Sequence, residues 1–87
     1  MVRAYHRAFM TEEQEKLIGC EFRHFKGKLY RIEGFAKDSE TLEKMVVYRA
    51  LYGERGLWVR PATMFFETIE RDGKRIKRFE LLEGTKQ

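Results

Sequence analysis

The sequence predicts a mainly β protein: a small SH3-like antiparallel barrel with one short N-terminal helix. Three observations predict this class. After residue 19, apolar and polar residues alternate with a period of two, which is typical of strands buried on one face. Turns that contain glycine separate these segments, and the short connections favour antiparallel pairing. Closure into a barrel removes the exposed edges of so small a sheet; a small open α+β sheet is the alternative.

Length and charge limit the classes of protein to which this chain belongs. Its 87 residues suffice for a single domain with one small core. The net charge is +4, but the 14 acidic residues are interspersed among the 18 basic ones. The most basic segment, residues 74–78, is therefore interpreted as a solvated face. The alternative interpretation is that this segment contacts nucleic acid.

The predicted location is the cytoplasm. The sequence has no run of about 18 apolar residues, so we expect no membrane span. Its first residues lack the apolar region of a signal peptide, and the single cysteine, Cys20, has no partner for an internal disulfide. We expect no cofactor, and either a monomer or a weak homo-oligomer.

A short helix is predicted over residues 12–18. Thr11 precedes it as an N-cap, and Gln14 stands three residues later, where a capping box requires it. Gly19 ends the helix, because glycine readily adopts the left-handed conformation that follows a C-terminus.

Two strands joined by a short turn follow the helix. Residues 20–25 alternate between two faces, with Cys20 and His24 on the same face. Residues 26–28 form the turn, and residues 29–36 form the second strand. Gly34, inside that strand, indicates a β-bulge or a sharp bend.

The middle of the chain predicts a loop and then a central strand. Residues 37–44 are mostly polar, and Asp38 or Ser39 is expected to cap a turn there. Residues 45–52 are hydrophobic on both faces, which predicts a central strand covered on both sides. Residues 53–56 contain two glycines and predict a turn.

The last part of the chain predicts a short strand, a helical turn and a hairpin. The strand covers residues 57–60 and ends at Pro61, which opens the helical turn over residues 62–65. The hairpin follows, with its strands at residues 66–71 and 75–82 on either side of Asp72-Gly73. The expected total is one helix and about six strands, with a frayed end after residue 82.

Four segments of the chain resemble the bacterial DUF1653 domain. They are FRHFKGKLYRI from Phe22, SETLE from Ser39, VVYRALYG from Val46, and GLWVRP from Gly56, which Met64-Phe65 follows. The similarity extends roughly from Glu21 to Leu82, with Phe22 where a tyrosine is expected. It implies a small bacterial cytoplasmic domain at residues 19–83, an N-terminal extension at 1–18 and a tail at 84–87. It implies no activity, because the family has no assigned function.

His24 and Glu40 are the candidates for acid–base chemistry. A histidine titrates near neutral pH and transfers protons, and Glu40 lies in a predicted loop, where functional groups are common. The structural alternative is that His24 forms a hydrogen bond within the sheet. In the same alternative, Glu40 caps a turn or pairs with Arg60.

Trp58 and Arg60 are the candidates for ligand binding, because they share one face of a short predicted strand. A guanidinium held against an indole binds anions and stacks with bases. If Tyr30, Tyr48 and Tyr52 line the same wall, the result is an aromatic cleft with a cationic end. The structural alternative is that Arg60 forms an ion pair and the aromatic rings fill the core.

No metal site or nucleophile is predicted. Cys20 and His24 lie four residues apart, but a metal requires three or four ligands, and His6 would complete a site only by coincidence of folding. Cys20 lacks the motif of a catalytic cysteine, and the spacing of Gly53 and Gly56 is too short for a phosphate-binding loop.

The leading hypothesis is a non-enzymatic module that binds an anionic or aromatic ligand: a nucleotide, a single-stranded nucleic acid or a peptide. One alternative is a small hydrolase that acts on a nucleotide-like substrate, with His24 or Glu40 as general base. Another is a protein–protein interaction or oligomerisation domain. The predicted binding residues are Trp58, Arg60, Tyr48 and Tyr30, with Glu40 and His24 at the rim.

Overall fold

The structure, a computed structural model, describes residues 10–83. Within them lie two short helices, α1 (Glu12–Leu17) and α2 (Ala62–Phe65). The strands are β1 (Glu21–His24), β2 (Leu29–Lys37), β3 (Lys44–Ala50), β4 (Leu57–Pro61), β5 (Thr68–Arg71), β6 (Lys74–Lys77) and β7 (Phe79–Leu81). The remainder of the predicted N-terminal extension, residues 1–9, and the predicted tail, residues 84–87, lie outside the described residues.

Five strands form one antiparallel sheet in the order β4-β3-β2-β1-β7. Strands β5 and β6 form a separate two-stranded antiparallel ribbon. The mainly β, antiparallel prediction is therefore confirmed. The closed barrel is not found, because β4 and β7 are the two edges of the sheet and do not pair with each other among the described residues.

The capping box that the sequence predicts at α1 is present. The Thr11 hydroxyl accepts a hydrogen bond from the Gln14 backbone N–H at 3.0 Å, and the Thr11 N–H donates to Gln14 Oε1 at 3.2 Å. Gly19 follows the C-cap with φ of +91°, the left-handed value expected there. The helix ends at Leu17, one residue earlier than predicted.

The bulge predicted at Gly34 is confirmed. Ile32 pairs with Tyr48 and Gly34 with Val47, so the register between β2 and β3 shifts between these two pairs. The extra residue, Glu33, increases the local twist of the sheet. A sheet with this bend wraps around its core more tightly than a flat one.

Strand β3 is central but differs from the prediction at its end and on its outer face. It ends at Ala50, so Tyr52 lies in the following turn. On its inner face Val46 is buried, whereas Val47 on the outer face is only half-buried. The strand is therefore covered fully on one side only, although its sequence is apolar on both.

The loop between β2 and β3 is capped by Asp38 rather than Ser39. The Asp38 carboxylate accepts hydrogen bonds from the backbone N–H groups of Glu40 and Thr41 at 2.8 and 3.1 Å. Both hydrogen bonds lower the pKa of Asp38 below its usual range, and the bond from Thr41 has the larger effect. Glu40 itself lies exposed at the tip of this loop.

The predicted turn of the C-terminal hairpin is confirmed, but the prediction of its second strand is wrong. Asp72 and Gly73 both have positive φ, as a tight two-residue hairpin turn requires. The second predicted strand is divided at Arg78 into β6 and β7, which belong to different sheets. Arg78 forms a salt bridge with Glu67, and its N–H donates to the Glu67 carbonyl at 3.0 Å. At this residue the chain leaves the ribbon and enters the main sheet.

The core lies on the concave side of the five-stranded sheet. Phe65 of α2 is fully buried and stacks on Phe79 of β7, with ring centroids 4.0 Å apart. Helix α2 therefore covers the open side of the sheet. The buried residues of this core are Cys20, Phe22, Ile32, Val46, Tyr48, Ala62, Phe65 and Phe79.

Candidate ligand-binding site

The register of β3 and β4 brings three of the six predicted site residues, Tyr48, Trp58 and Arg60, to one face. Tyr48 pairs directly with Trp58, and Val46 pairs with Arg60. Residues directly opposite in an antiparallel pair point to the same side of the sheet. Because Val46 and Tyr48 face the core, Trp58 and Arg60 lie on the concave side as well, at its open edge.

Arg60 is held by aromatic side chains. Its Nε donates to the Tyr48 hydroxyl at 3.3 Å, and its guanidinium lies 5.7 Å from the centre of the Phe79 ring. Among residues 10–83, no carboxylate forms a salt bridge with it. The predicted contact between Arg60 and the indole of Trp58 is replaced by this contact with Phe79.

Three tyrosines contact one another beside this edge, and we refer to them as the tyrosine wall. Tyr52 is exposed and Tyr30 is half-buried, whereas Tyr48 is buried in the core, as the structural alternative expects. The Tyr30 ring lies 5.4 Å from that of Tyr48 and 5.5 Å from that of Tyr52, edge to face in both pairs. The Tyr30 and Tyr52 hydroxyls share a hydrogen bond of 2.7 Å. Burial, and then this hydrogen bond, raise the pKa of Tyr30 to about 12, so the Tyr30 hydroxyl keeps its proton at physiological pH.

Trp58 and Tyr52 flank an open slot. The indole is 56% exposed, which places Trp58 on the surface and not in the core. Ala50 and Gly56 also line this slot, Glu54 stands at its rim, and its volume is about 260 Å³. A side chain at position 56 would contact the indole N–H, because a Cβ there lies 3.5 Å from Trp58 Nε1. A space of this volume admits one planar ring.

His24 lies beside the tyrosine wall. Its ring is 4.9 Å from that of Phe79 and 6.3 Å from that of Tyr30. Its Nδ1 accepts a hydrogen bond from the Lys26 backbone N–H at 3.1 Å, so the proton of the neutral ring is on Nε2. Burial lowers the pKa of His24, and the positive charge of Arg60 lowers it further.

The depressed pKa of His24 predicts a pH dependence of stability. The folded state favours the neutral ring, so its contribution is complete above the unfolded pKa of 6.5 and is lost as the pH falls below that value. We expect urea denaturation to give a smaller free energy of unfolding at about pH 5 than at about pH 7.5. His24→Gln still offers an acceptor to the Lys26 N–H and is expected to flatten this slope. An equal slope in both proteins would contradict the assignment to His24.

Glu40 is not brought to this site. It lies beyond the Lys37–Lys44 end of the β2–β3 hairpin, whereas the His24 carbonyl and N–H contact the turn that precedes Leu29. Strand β2 separates the two by roughly 25 Å. A hydrolase that uses His24 and Glu40 together therefore lacks the geometry it requires.

Phe79 and Glu54 belong to the site but were not predicted. Phe79 joins it because the C-terminal strand returns to pair with β1, which no local pattern indicates. Glu54 lies in the predicted turn beside Tyr52, so its position in the sequence was the only signal available.

The remaining features considered in the sequence are Cys20, a metal site and a membrane span. Cys20 is buried, and its thiol donates to the Lys16 carbonyl at 3.5 Å. Among residues 10–83, no three His, Cys, Asp or Glu side chains are grouped as metal ligands, and His6 lies outside that range. No helix in the described part of the chain is long and apolar enough to cross a membrane.

Comparisons with known proteins agree with the motifs noted in the sequence. The family described as "Protein of unknown function (DUF1653)" matches residues 20–81. The crystal structure of a DUF1653 protein from Bordetella bronchiseptica is similar, with 30% identity and a TM-score of 0.68, over 79% of this chain and 91% of that chain. No curated protein matches significantly. The predicted family is therefore confirmed: the chain belongs to DUF1653.

Proposed function

We propose that this protein is a non-enzymatic binding module for a ligand that carries both an aromatic ring and an anionic group, such as a nucleotide. The observation that supports it best is Arg60. A guanidinium with no carboxylate partner among residues 10–83 stands on the same strand face as an indole that is 56% exposed. Arginine in such surroundings recognises phosphates and carboxylates and stacks with planar groups.

The two halves of the ligand have different positions in this proposal. The ring enters the slot beside Trp58 and Tyr52, whose side chains offer aromatic contact to a planar group. The anionic group reaches toward Arg60, two residues from Trp58 along β4. Glu54 at the rim repels an anion from the mouth of the slot and accepts hydrogen bonds from ring amino groups.

The test is a titration of the labelled protein with adenosine and uridine monophosphates, followed by amide NMR. We expect localised shifts at Tyr48, Tyr52, Trp58 and Arg60. Trp58→Ala is expected to weaken binding by at least about fivefold, because stacking on an aromatic ring contributes about 1–3 kcal/mol per base. The measurement is the dissociation constant of each variant.

Leu57→Ala is the matched control. Leu57 is 54% exposed, close to the 56% of Trp58, and lies on the opposite face of the same strand. Its dissociation constant should equal that of the unaltered protein. Equal effects of the two substitutions, or shifts spread evenly over the protein, would refute the assignment of the slot.

A second candidate function is an interaction domain that uses β4. This strand is an edge of the sheet, and Leu57, Trp58 and Val59 are all more than half exposed. Apolar edge strands pair readily with other strands. A monomeric mass by sedimentation at high concentration would exclude self-association through this edge.

We also propose that the sheet is the open form of an SH3-like barrel. The strand order β4-β3-β2-β1-β7, the bulge in β2 and the helical turn α2 after β4 support this assignment. A bacterial origin and a cytoplasmic location stay predictions.

A further inference from the structure

A second concave surface lies between β1 and the β5–β6 ribbon, on the side of His24 away from the slot. Its volume is about 400 Å³, which is larger than that of the slot. Three of its side chains are cationic and one is acidic. The side chains used below are Arg23, His24, Phe25, Arg75, Lys77 and Glu80. We refer to this surface as the basic cleft.

The cations of the basic cleft form no salt bridge within the described part of the chain. Arg23, Arg75 and Lys77 form no salt bridge among residues 10–83, although Glu80 is the cross-strand neighbour of Arg23. By contrast, Arg78 at the end of the ribbon is paired with Glu67. Like charges that line one concavity repel each other, so an anion bound there relieves the repulsion.

An aromatic ring accompanies these cations. Phe25 lies in the cleft with its ring 4.4 Å from that of His24. Arg71 and Lys26 approach the same ring at 5.0 and 5.9 Å. Cations that alternate with exposed or half-buried aromatic rings are typical of surfaces that bind single-stranded nucleic acid.

His24 connects the basic cleft with the proposed nucleotide site. It lines the cleft, and its ring also contacts Phe79 and Tyr30, which underlie Arg60 and the tyrosine wall. The slot is at β4 and the cleft is at β1, three strand spacings apart, or about 15 Å along the sheet. A mononucleotide cannot contact both surfaces, but a short chain of nucleotides can.

We propose that the ligand is a single-stranded nucleic acid, with one base in the slot between Trp58 and Tyr52 and backbone phosphates in the basic cleft. The base-binding half of this inference rests on the proposed function. The phosphate-binding half uses a different surface and does not. A duplex does not fit this arrangement, because its bases are stacked and paired and cannot enter the slot.

The experiment measures the affinity of the protein for oligothymidylates of increasing length, from thymidine monophosphate to a 12-mer. We expect affinity to rise by at least about tenfold once the strand spans both surfaces, and then to level off. Arg75→Gln with Lys77→Gln should remove this gain for the 12-mer and leave the monophosphate unaffected. The same variant should reduce the slope of log affinity against log salt by about 1.4, since each phosphate contact contributes about 0.7 on a single strand.

The control replaces Lys37 and Lys74 by glutamine. It makes the same change in net charge, and neither residue lines the basic cleft. Glutamine is preferred to glutamate at position 75 because a carboxylate there would oppose Glu70 across the ribbon. Equal losses in the two double variants would overturn the assignment of the cleft and leave only non-specific charge attraction.

Two further ligands separate this inference from the proposed function. A blunt duplex of equal length should bind more weakly than the single strand. The affinity for inorganic polyphosphate should be the same in Trp58→Ala as in the unaltered protein, because polyphosphate has no base to enter the slot. An oligonucleotide that binds no more tightly than the monophosphate would overturn the inference and leave the proposed function standing. A third outcome is that the cleft variant loses affinity for the oligonucleotide, while Trp58→Ala changes the affinity for neither the oligonucleotide nor the monophosphate. That outcome would uphold the cleft and overturn the proposed function.

Discussion

Replacement of Phe65 by alanine is expected to lower the free energy of unfolding by about 3–5 kcal/mol, the range found for large aromatic residues in well-packed cores. Phe65 is fully buried, stacks on Phe79, and meets Phe22 and Tyr48 edge to face at 5.3 and 5.2 Å. It is the anchor that holds α2 over the sheet. A chain of 87 residues has a small total stability, so this loss is a large share of it.

The measurement is urea denaturation followed by tryptophan fluorescence and circular dichroism. Phe25→Ala is the matched control, since Phe25 is an equally large ring that is only half-buried and outside the core cluster. We expect it to cost much less than Phe65→Ala. If Phe65→Ala does not fold, Phe65→Leu keeps the comparison measurable. A loss no larger than that of Phe25→Ala would show that α2 is not an anchor.

Replacement of Arg60 by methionine is expected to weaken the binding of adenosine monophosphate by roughly 10- to 150-fold. This range corresponds to the net value of about 1.5–3 kcal/mol for a hydrogen bond to a charged group. Methionine keeps the aliphatic volume over Phe79 and removes only the guanidinium. The measurement is isothermal titration calorimetry at constant ionic strength, because a charge contact is sensitive to salt.

Arg31→Met is the control for the loss of one positive charge. Arg31 lies on the outer face of the sheet and pairs with Glu33, which keeps Arg49 as a second partner. Tyr48→Phe removes the hydroxyl that accepts the hydrogen bond from Arg60 Nε but keeps the positive charge of Arg60. It should therefore weaken binding less than Arg60→Met. Equal effects of Arg60→Met and Arg31→Met would contradict a specific role for Arg60.

The local elements were predicted well because their signals lie within a few residues of each other. The Thr11 capping box, the left-handed Gly19, the bulge at Gly34 and the turn at Asp72-Gly73 are all found. Each depends on backbone conformations that few residue types adopt, or on a side chain that bonds to the adjacent backbone. Local chemistry is sufficient in such cases.

The sequence predicted the part of the candidate site that lies on one face of a single strand, but not the residues that other strands bring to it. Trp58 and Arg60 share a face because of the period of a strand, and both were identified in this way. Glu40 was included for its residue type and its loop, and the β2–β3 hairpin carries it to the opposite end of the sheet. Phe79 was missed because it enters through a pairing between distant parts of the chain.

The sequence by itself determined the β class, the family, most turns and the set of aromatic residues available for a site. Only the tertiary structure decided that Trp58 is exposed, that Arg60 lies over Phe79, and that β7 leaves the ribbon to pair with β1. Burial and ring contacts depend on which distant strands become neighbours. Here β7 becomes a neighbour of β1, and its Phe79 stacks on Phe65, a contact that has no local signature in the chain.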